Sequence, residues 1–433
     1  MKTTIKTLCG LLAILAFTAC SSNTDETVNT PQFWHVTLTA SMGDETTRAL
    51  TENGNNINAS FTQGDVVKVL KSDGTLVGTL TAKTAGASTT LDGTMSGTFS
   101  ENEKLTCRYR SETANYDGQV GTLDGIATNQ DYAEGTLTVS TVSPSLTFES
   151  NHILLAAKQS ITKFSFTCGG NAVNVKTFRI AATGLVQSIA TNGGETTGTI
   201  TCTLADASSD AYVALRNNSD EKQTYTFIVK DNADNWYIGT KNATLTNGKN
   251  YMATVVLTQP TLTTSSPAGT IGIVGGLPAI AVNISGTMKA VALMNTGATW
   301  PEDYGEYLTF DNRASGLSNG WYVPTQDELF VGANNEATGG LAKISNSWGT
   351  QNGVYGRTFT ISEGKTLFLP AGGYYENGNN LLSVSTDGYY WSSDTDVNDS
   401  NKGIYFDVDY TGAAIFSQPK VDRLSVRPFH TLQ

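Results

Sequence analysis

The chain has 433 residues, a formal net charge of −12, 15% charged residues and 39% hydrophobic ones. An acidic, lysine-poor chain lacks the positive field that phosphate backbones attract, which argues against nucleic acid as a partner. Its hydrophobic share is enough to fill cores, which excludes global disorder. Three histidines leave little for histidine-based catalysis or zinc, and 43 glycines with abundant Thr, Ser and Asn suggest many short strands and turns. Together these features indicate a mainly β, extracellular protein.

The amino terminus sets the compartment. Lys2 and Lys6 precede an apolar stretch over residues 8–17, about half the ~20 residues a bilayer-spanning helix needs. Thr18, Ala19 and Cys20 close it. This order resembles a bacterial lipobox, which implies removal of residues 1–19 as a signal peptide and lipidation of Cys20. A plain secretory signal beside an incidental cysteine is the alternative. Ser21 and Ser22 follow rather than Asp, which by the same resemblance implies sorting to the outer membrane. Cys9 leaves with the signal. Cys107, Cys168 and Cys202 are widely spaced with no CxxC pair, so neither zinc nor a redox dithiol is indicated. Cys168 and Cys202 could pair or stay as buried thiols.

Residues 20–32 read as a tether. From Phe33 the pattern has period two, with Trp34, Val36, Leu38 and Ala40 on one side. The run 64–82 reads as two strands about the Asp73-Gly74 turn. Similar strands, punctuated by Gly, Asn and Asp, continue through a first β-sandwich (33–144) and a second (145–259). No helical period of useful length is found before residue 260. Residues 260–269 are a Pro/Ser/Thr linker. The segment 270–433 holds four of the six tryptophans, at 300, 321, 348 and 391. Thr325 and Glu328 are spaced as a capping box behind Pro324, with Leu329 and Phe330 facing the core. This predicts a helix and an α+β third domain.

Two resemblances rest on these segments. The strings "HVTLTAS", "TTRAL", "FTQGDVVKVL" and "LTNGKNYMATVVL" make 33–258 similar to the fimbrillins of Bacteroidales, the pilins of lipoprotein-derived (type V) pili. That resemblance implies two tandem transthyretin-like β-sandwiches. The strings "NGWYVPTQDEL", "LFLPAGGYYENG", "DGYYWSSDTD" and "RLSVRPF" make 270–433 similar to the major paralogous domain family named after Fibrobacter succinogenes. This second resemblance implies a C-type-lectin-like fold.

The pilin resemblance also implies a mechanism. A protease cuts after an Arg or Lys behind the first strand, which leaves, and a strand from the neighbouring subunit fills the groove. Arg48-Ala49 stands in the polar turn behind the first strand, and Arg48 is the one Lys or Arg between positions 7 and 67. It is the expected processing bond, with an ordinary surface charge as the alternative. The segment "SVRPFHTLQ" matches the last strand of the third domain and offers no donor strand. These features indicate a fimbrial tip pilin and adhesin, lipid-anchored at the outer membrane before processing and then carried on the cell-surface fimbrium. Its partners would be neighbouring pilins and a host or bacterial glycan or protein ligand. A lipid-anchored surface binding protein, or a pilus anchor that does not polymerise, is the alternative.

Enzyme chemistry finds no support. The third domain lacks cysteine, has His430 alone as histidine, and has no GxSxG elbow, so neither catalysis nor a cofactor is expected. The run 394–401 begins like a calcium loop, but Asp399 and Tyr405 stand where an EF-hand needs Gly and Glu. A structural cation among Asp394, Asp396 and Asp399 competes with a solvated turn, and no metal is assigned. Lys420 breaks the nearest lectin-type calcium motif. Aromatic rings that stack on sugars are then the ligand-binding candidates: Tyr374, Tyr375, Tyr389 and Trp391, with Asn377 for directional hydrogen bonds; a core position for the run that contains Tyr389 and Trp391 is the alternative. Alternation puts Tyr390 opposite Tyr389 and Trp391.

Overall fold

A computed structural model describes residues 32–43, 51–53, 56–58, 60–300, 302–333 and 335–433. The first strand, Phe33–Met42, buries every second residue. Trp34, Val36, Leu38 and Ala40 enter a core shared with Phe61, Val67, Leu80, Leu91, Leu105 and Ile153. It pairs antiparallel with Ser88–Ser96 from Phe33↔Ser96 to Ser41↔Ser88. It pairs parallel with His152–Ala157 only from Thr39↔His152 to Met42↔Leu155. The expected hairpin is present between Val66–Leu70 and Leu76–Ala82. Gly74 takes φ +87° at its turn, and the Asp73 carboxylate accepts from the Thr75 N–H at 2.8 Å.

The first sheet is a ring of pairings rather than two separate faces, because Lys104–Tyr109 pairs with Ala133–Thr141, which in turn pairs with His152–Ala157. Close strand approach makes this possible. A Cβ added at Gly135 would lie 2.5 Å from Ile153 Cγ2 and 2.7 Å from the Leu154 oxygen.

The boundary expected at 144/145 falls inside this first sheet, since Thr147–Phe148 and His152–Ala157 both belong to it. Residues 114–132, by contrast, belong to the second core: Ala114, Tyr116, Ile126 and Tyr132 pack with Phe164, Phe178 and Val213. The two sheets are therefore interleaved in sequence. This excursion carries a helix that the sequence did not reveal, Leu123–Asn129, where Thr122 Oγ1 accepts from Gly125 N–H. At seven residues it is too short to show a period. Buried Gln119 sews the excursion in place: its amide donates to the Tyr116 and Ala214 oxygens and accepts from Ala214 N–H, all within 2.9 Å.

The second sheet runs, in spatial order, 195–197, 185–189, 210–217, 160–168, 250–258, 236–243, 223–231, 175–181, 200–208. Ser160–Cys168 and Asn250–Thr258 are parallel, from Ile161↔Asn250 to Cys168↔Leu257. Cys107, Cys168 and Cys202 are free thiols, and burial pushes the Cys107 and Cys202 thiols up to about 12.

The third unit corrects the α+β expectation. The capping box forms as read, with Thr325 Oγ1 accepting from Glu328 N–H and Glu328 Oε2 accepting from Thr325 N–H. Leu329 and Phe330 are buried. The helix is nevertheless one turn, Gln326–Leu329, because Phe330 is extended and Val331–Ala333 then pairs with Glu336–Gly339. Strands make up most of the rest. A five-stranded sheet places Phe429–Thr431 between Thr287–Ala292 and Trp321–Tyr322. Two three-stranded sheets follow, 346–370 and 387–419.

The expected linker is not free. Leu262 is buried with Ala279, Ala281, Trp321 and Leu432, and Ile273 N–H donates to the Pro260 oxygen. Trp236 and Ile228 of the second sheet pack into the third unit's core. Trp236 meets Trp300 edge-to-face at 5.8 Å. Buried Arg179 forms a two-pronged ion pair with buried Glu302 across this junction, while Thr199 and Asn352 exchange hydrogen bonds beside it.

Removing one partner of a buried ion pair strands the other. Glu302→Ala is expected to destabilise the junction by about 3–5 kcal/mol, and Arg179→Met added to it should recover much of the loss. Denaturant melts of the two variants check this.

Candidate ligand face and strand groove

The first strand fills a furrow in the first sheet. Its inward row descends from Trp34, set edge-to-face on Phe99 at 5.2 Å, to Ala40, which is wholly buried. Each fully buried large apolar side chain contributes roughly 1.5–3 kcal/mol, so this row is a substantial part of the first core. The outward face is held by exposed contacts only. Thr39 Oγ1 and Ser41 Oγ lie 3.0 and 2.9 Å from the two ring nitrogens of His152, and Thr37 Oγ1 donates to Asp92. Such surface contacts contribute little. Arg48 and Ala49 lie outside the described residues, as does Cys20.

In the third unit, the structure brings Tyr374 and Tyr389 together, packed against the cluster that holds Trp391 and Tyr405. Their rings are 4.8 Å apart, Tyr389 lies 5.1 Å from Tyr405, and Tyr405 lies 6.0 Å from Phe416. These four rings form a ladder across the sheet 387–419 and the neighbouring strand Tyr374–Glu376. It ends at Phe416, which is 43% exposed. Tyr374 and Tyr389 are half-buried.

Trp391 is a correction. It is wholly buried, donates its indole N–H to the Leu308 oxygen at 2.7 Å, and packs edge-to-face on Phe310. It is core and cannot reach a ligand. Tyr390 points to the opposite side, as alternation requires, with its hydroxyl on the Pro370 oxygen. Tyr375 turns away from the ladder to meet Tyr307 edge-to-face at 5.0 Å. Asn377 occupies a turn at φ +48°, its N–H on the Asp422 carboxylate.

The cation trio is not assembled either. Asp394 accepts from Gln326 N–H at 2.6 Å at the start of the short helix. Asp396 and Asp399 accept from the N–H groups of Asn398 and Asn401 within their own loop. Among the described residues, the acidic group that does converge is Asp387, Asp407 and Asp409, with carboxylate oxygens within 4.8 Å of one another. Asp387↔Asp409 and Tyr389↔Asp407 are opposite pairs on adjacent strands, so the carboxylates adjoin the ring ladder. Burial, then the charges of Asp387 and Asp409, pushes the Asp407 carboxyl up to about 7. Burial likewise raises the Tyr389 hydroxyl to about 12. Sequence reasoning missed Tyr405, Phe416 and the three aspartates. Their signal was the shared parity of Tyr405, Asp407 and Asp409 in one strand, opposite Asp387 and Tyr389 in the next.

Comparison with known proteins gives limited guidance. Residues 346–429, within the third unit, match a family described as a domain of unknown function, DUF8237. No curated protein matches. Among solved structures, a candidate cell adhesion protein from Bacteroides uniformis is similar at 13% identity and TM-score 0.31, over 51% of this chain and 92% of that one. The tip fimbrial protein Mfa3 from Porphyromonas gingivalis is similar at 8% identity and TM-score 0.29, over 53% of this chain and 97% of that one. The shaft pilin SpaA from Lactobacillus rhamnosus follows at 10% identity and TM-score 0.23, over 53% and 100%. Likenesses this slight assign no function.

Asp407 supplies a pH test. Its folded carboxyl holds a proton up to about pH 7, against 3.8 for the ordinary group. Between those values the folded state binds more protons than the unfolded one, so this residue's contribution makes stability fall as pH rises. Asp407→Asn is expected to flatten the decline between about pH 4 and 7, read as unfolding midpoints across that range.

Proposed function

We propose that this protein is a fimbrial tip pilin and adhesin, anchored first through lipid on Cys20 and then cut at Arg48-Ala49. The observation that carries the reading is the first strand. It supplies one complete core row, Trp34, Val36, Leu38 and Ala40, yet along Phe33–Leu38 it has no ladder with His152–Ala157. Its loss would leave an apolar furrow bordered by Ser88–Ser96 and His152–Ala157, of the length and pattern that an incoming strand fills. The two interleaved sheets are the pilin body in this reading, transthyretin-like by resemblance. The third unit, lectin-like by resemblance, is the ligand-bearing head. Phe429–Thr431 is paired on both edges, so releasing it would unmake the five-stranded sheet.

The ligand face of this head is the accessible part of the ladder, Tyr374, Tyr389 and Phe416, set on buried Tyr405, where aromatic faces and adjoining carboxylates could receive a glycan or a protein surface. The alternative of a lipid-anchored binding protein that never polymerises uses the same face but keeps residues 20–48.

Two experiments test the proposal. Arg48→Ala in the producing cell should keep the protein in the membrane fraction and remove its immunogold label from fibre ends; unchanged fibre-end labelling contradicts it. Phe416→Ala with Tyr374→Ala should lower adhesion by about tenfold or more while the melting temperature holds; full adhesion rules out this face.

A further inference from the structure

We propose that the cleft between the second sheet and the third unit is a second binding site, one that takes a neutral saccharide of one or two rings. The cleft measures about 490 Å³, inside the roughly 300–1,000 Å³ of small-molecule sites, which favour the junctions between structural units. Its floor is the outer face of two paired strands, where Ala181 stands opposite Thr226 and Arg179 opposite Ile228. Its roof is Ile271, Leu293, Thr366 and Phe368 of the third unit.

Charge decides against an ionic ligand. The Arg179 guanidinium is already committed to Glu302 and Thr199 within the wall. Glu363 and Lys365, both lining the opposite wall, are of opposite sign. The cleft thus offers no net field. On the floor, backbone geometry leaves no place for a peptide added as a strand. Val175–Ala181 is paired with Ile200–Ser208 on one edge and with Gln223–Asp231 on the other, and Gln223–Asp231 pairs again with Trp236–Ala243. No floor edge is open for main-chain pairing.

What remains is a lining of hydroxyls on both walls, from Thr183, Thr226 and Thr366, beside the aliphatic side chains of Ile228, Ile271 and Leu293. A threonine hydroxyl both donates and accepts, as does each hydroxyl of a sugar, while the C–H face of a pyranose matches the aliphatic side. This site is separate from the ring ladder and does not depend on the fimbrial reading.

The test uses the full chain in saturation-transfer NMR and calorimetry. The probes are methyl glucoside, methyl galactoside, N-acetylglucosamine, lactose and maltose, with glucuronate as the charged comparison. At least one neutral sugar is expected to bind more tightly than glucuronate. Thr226→Trp, which fills the cleft from the floor, should weaken that binding by about tenfold or more. Thr366→Phe fills it from the roof and should do the same, so that misfolding of one variant leaves the other to decide. Binding of none of the neutral probes, or binding that survives the folded cleft-filled variants, overturns the proposal.

Discussion

The structure depends on one row of side chains delivered by one strand. Trp34, Val36, Leu38 and Ala40 come from the first described element of the chain, yet they sit in the interior of the first core. A strand at the start of a chain can pair at a sheet edge and be lost at small cost. This one is threaded between Ser88–Ser96 and His152–Ala157, so the ring of pairings around the first core closes through it. Its solvent-face side chains make only a few exposed hydroxyl, histidine and carboxylate contacts, so its hold on the sheet rests on the main-chain ladders and the buried apolar row. Main-chain pairing and an alternating apolar row can both be reproduced by another strand with the same alternation, and this is the physical basis of the proposed assembly.

The remainder of the molecule is built to stay together. The excursion over 114–132 gives the second core residues from between two strands of the first sheet. The second sheet, in turn, lends Trp236 and Ile228 to the third unit and joins it through Arg179–Glu302. Pull on the ring ladder would therefore pass through a buried junction rather than a loose linker. In the proposed role, a ligand-binding head at the end of a fibre would need that continuity, and the packed course of residues 260–262 adds to it.

Local pattern was legible in the sequence, and tertiary assembly was not. The alternation of 34–40, the Asp73-Gly74 turn and the Thr325–Glu328 capping box all follow from side-chain parity or short-range hydrogen bonding, and each is present. The reading of Trp391 failed because parity says which residues share a side and not whether that side is covered. Leu424, Val426 and Phe310 cover it. The boundary at 144/145 failed because a chain that leaves one core and returns to it leaves no mark in composition. The group Asp387, Asp407 and Asp409 was missed because it forms only when two strands settle into register. Conversely, Asp394, Asp396 and Asp399, adjacent in sequence, spend their oxygens on local N–H groups.

The central claim is that the first strand is a removable part of the core. Sequencing the amino terminus of this protein, recovered from purified cell-surface fibres, tests it most directly. The account predicts that the fibre-borne chain begins at Ala49, with residues 33–42 gone. A chain that still carries lipidated Cys20 and an intact first strand contradicts it.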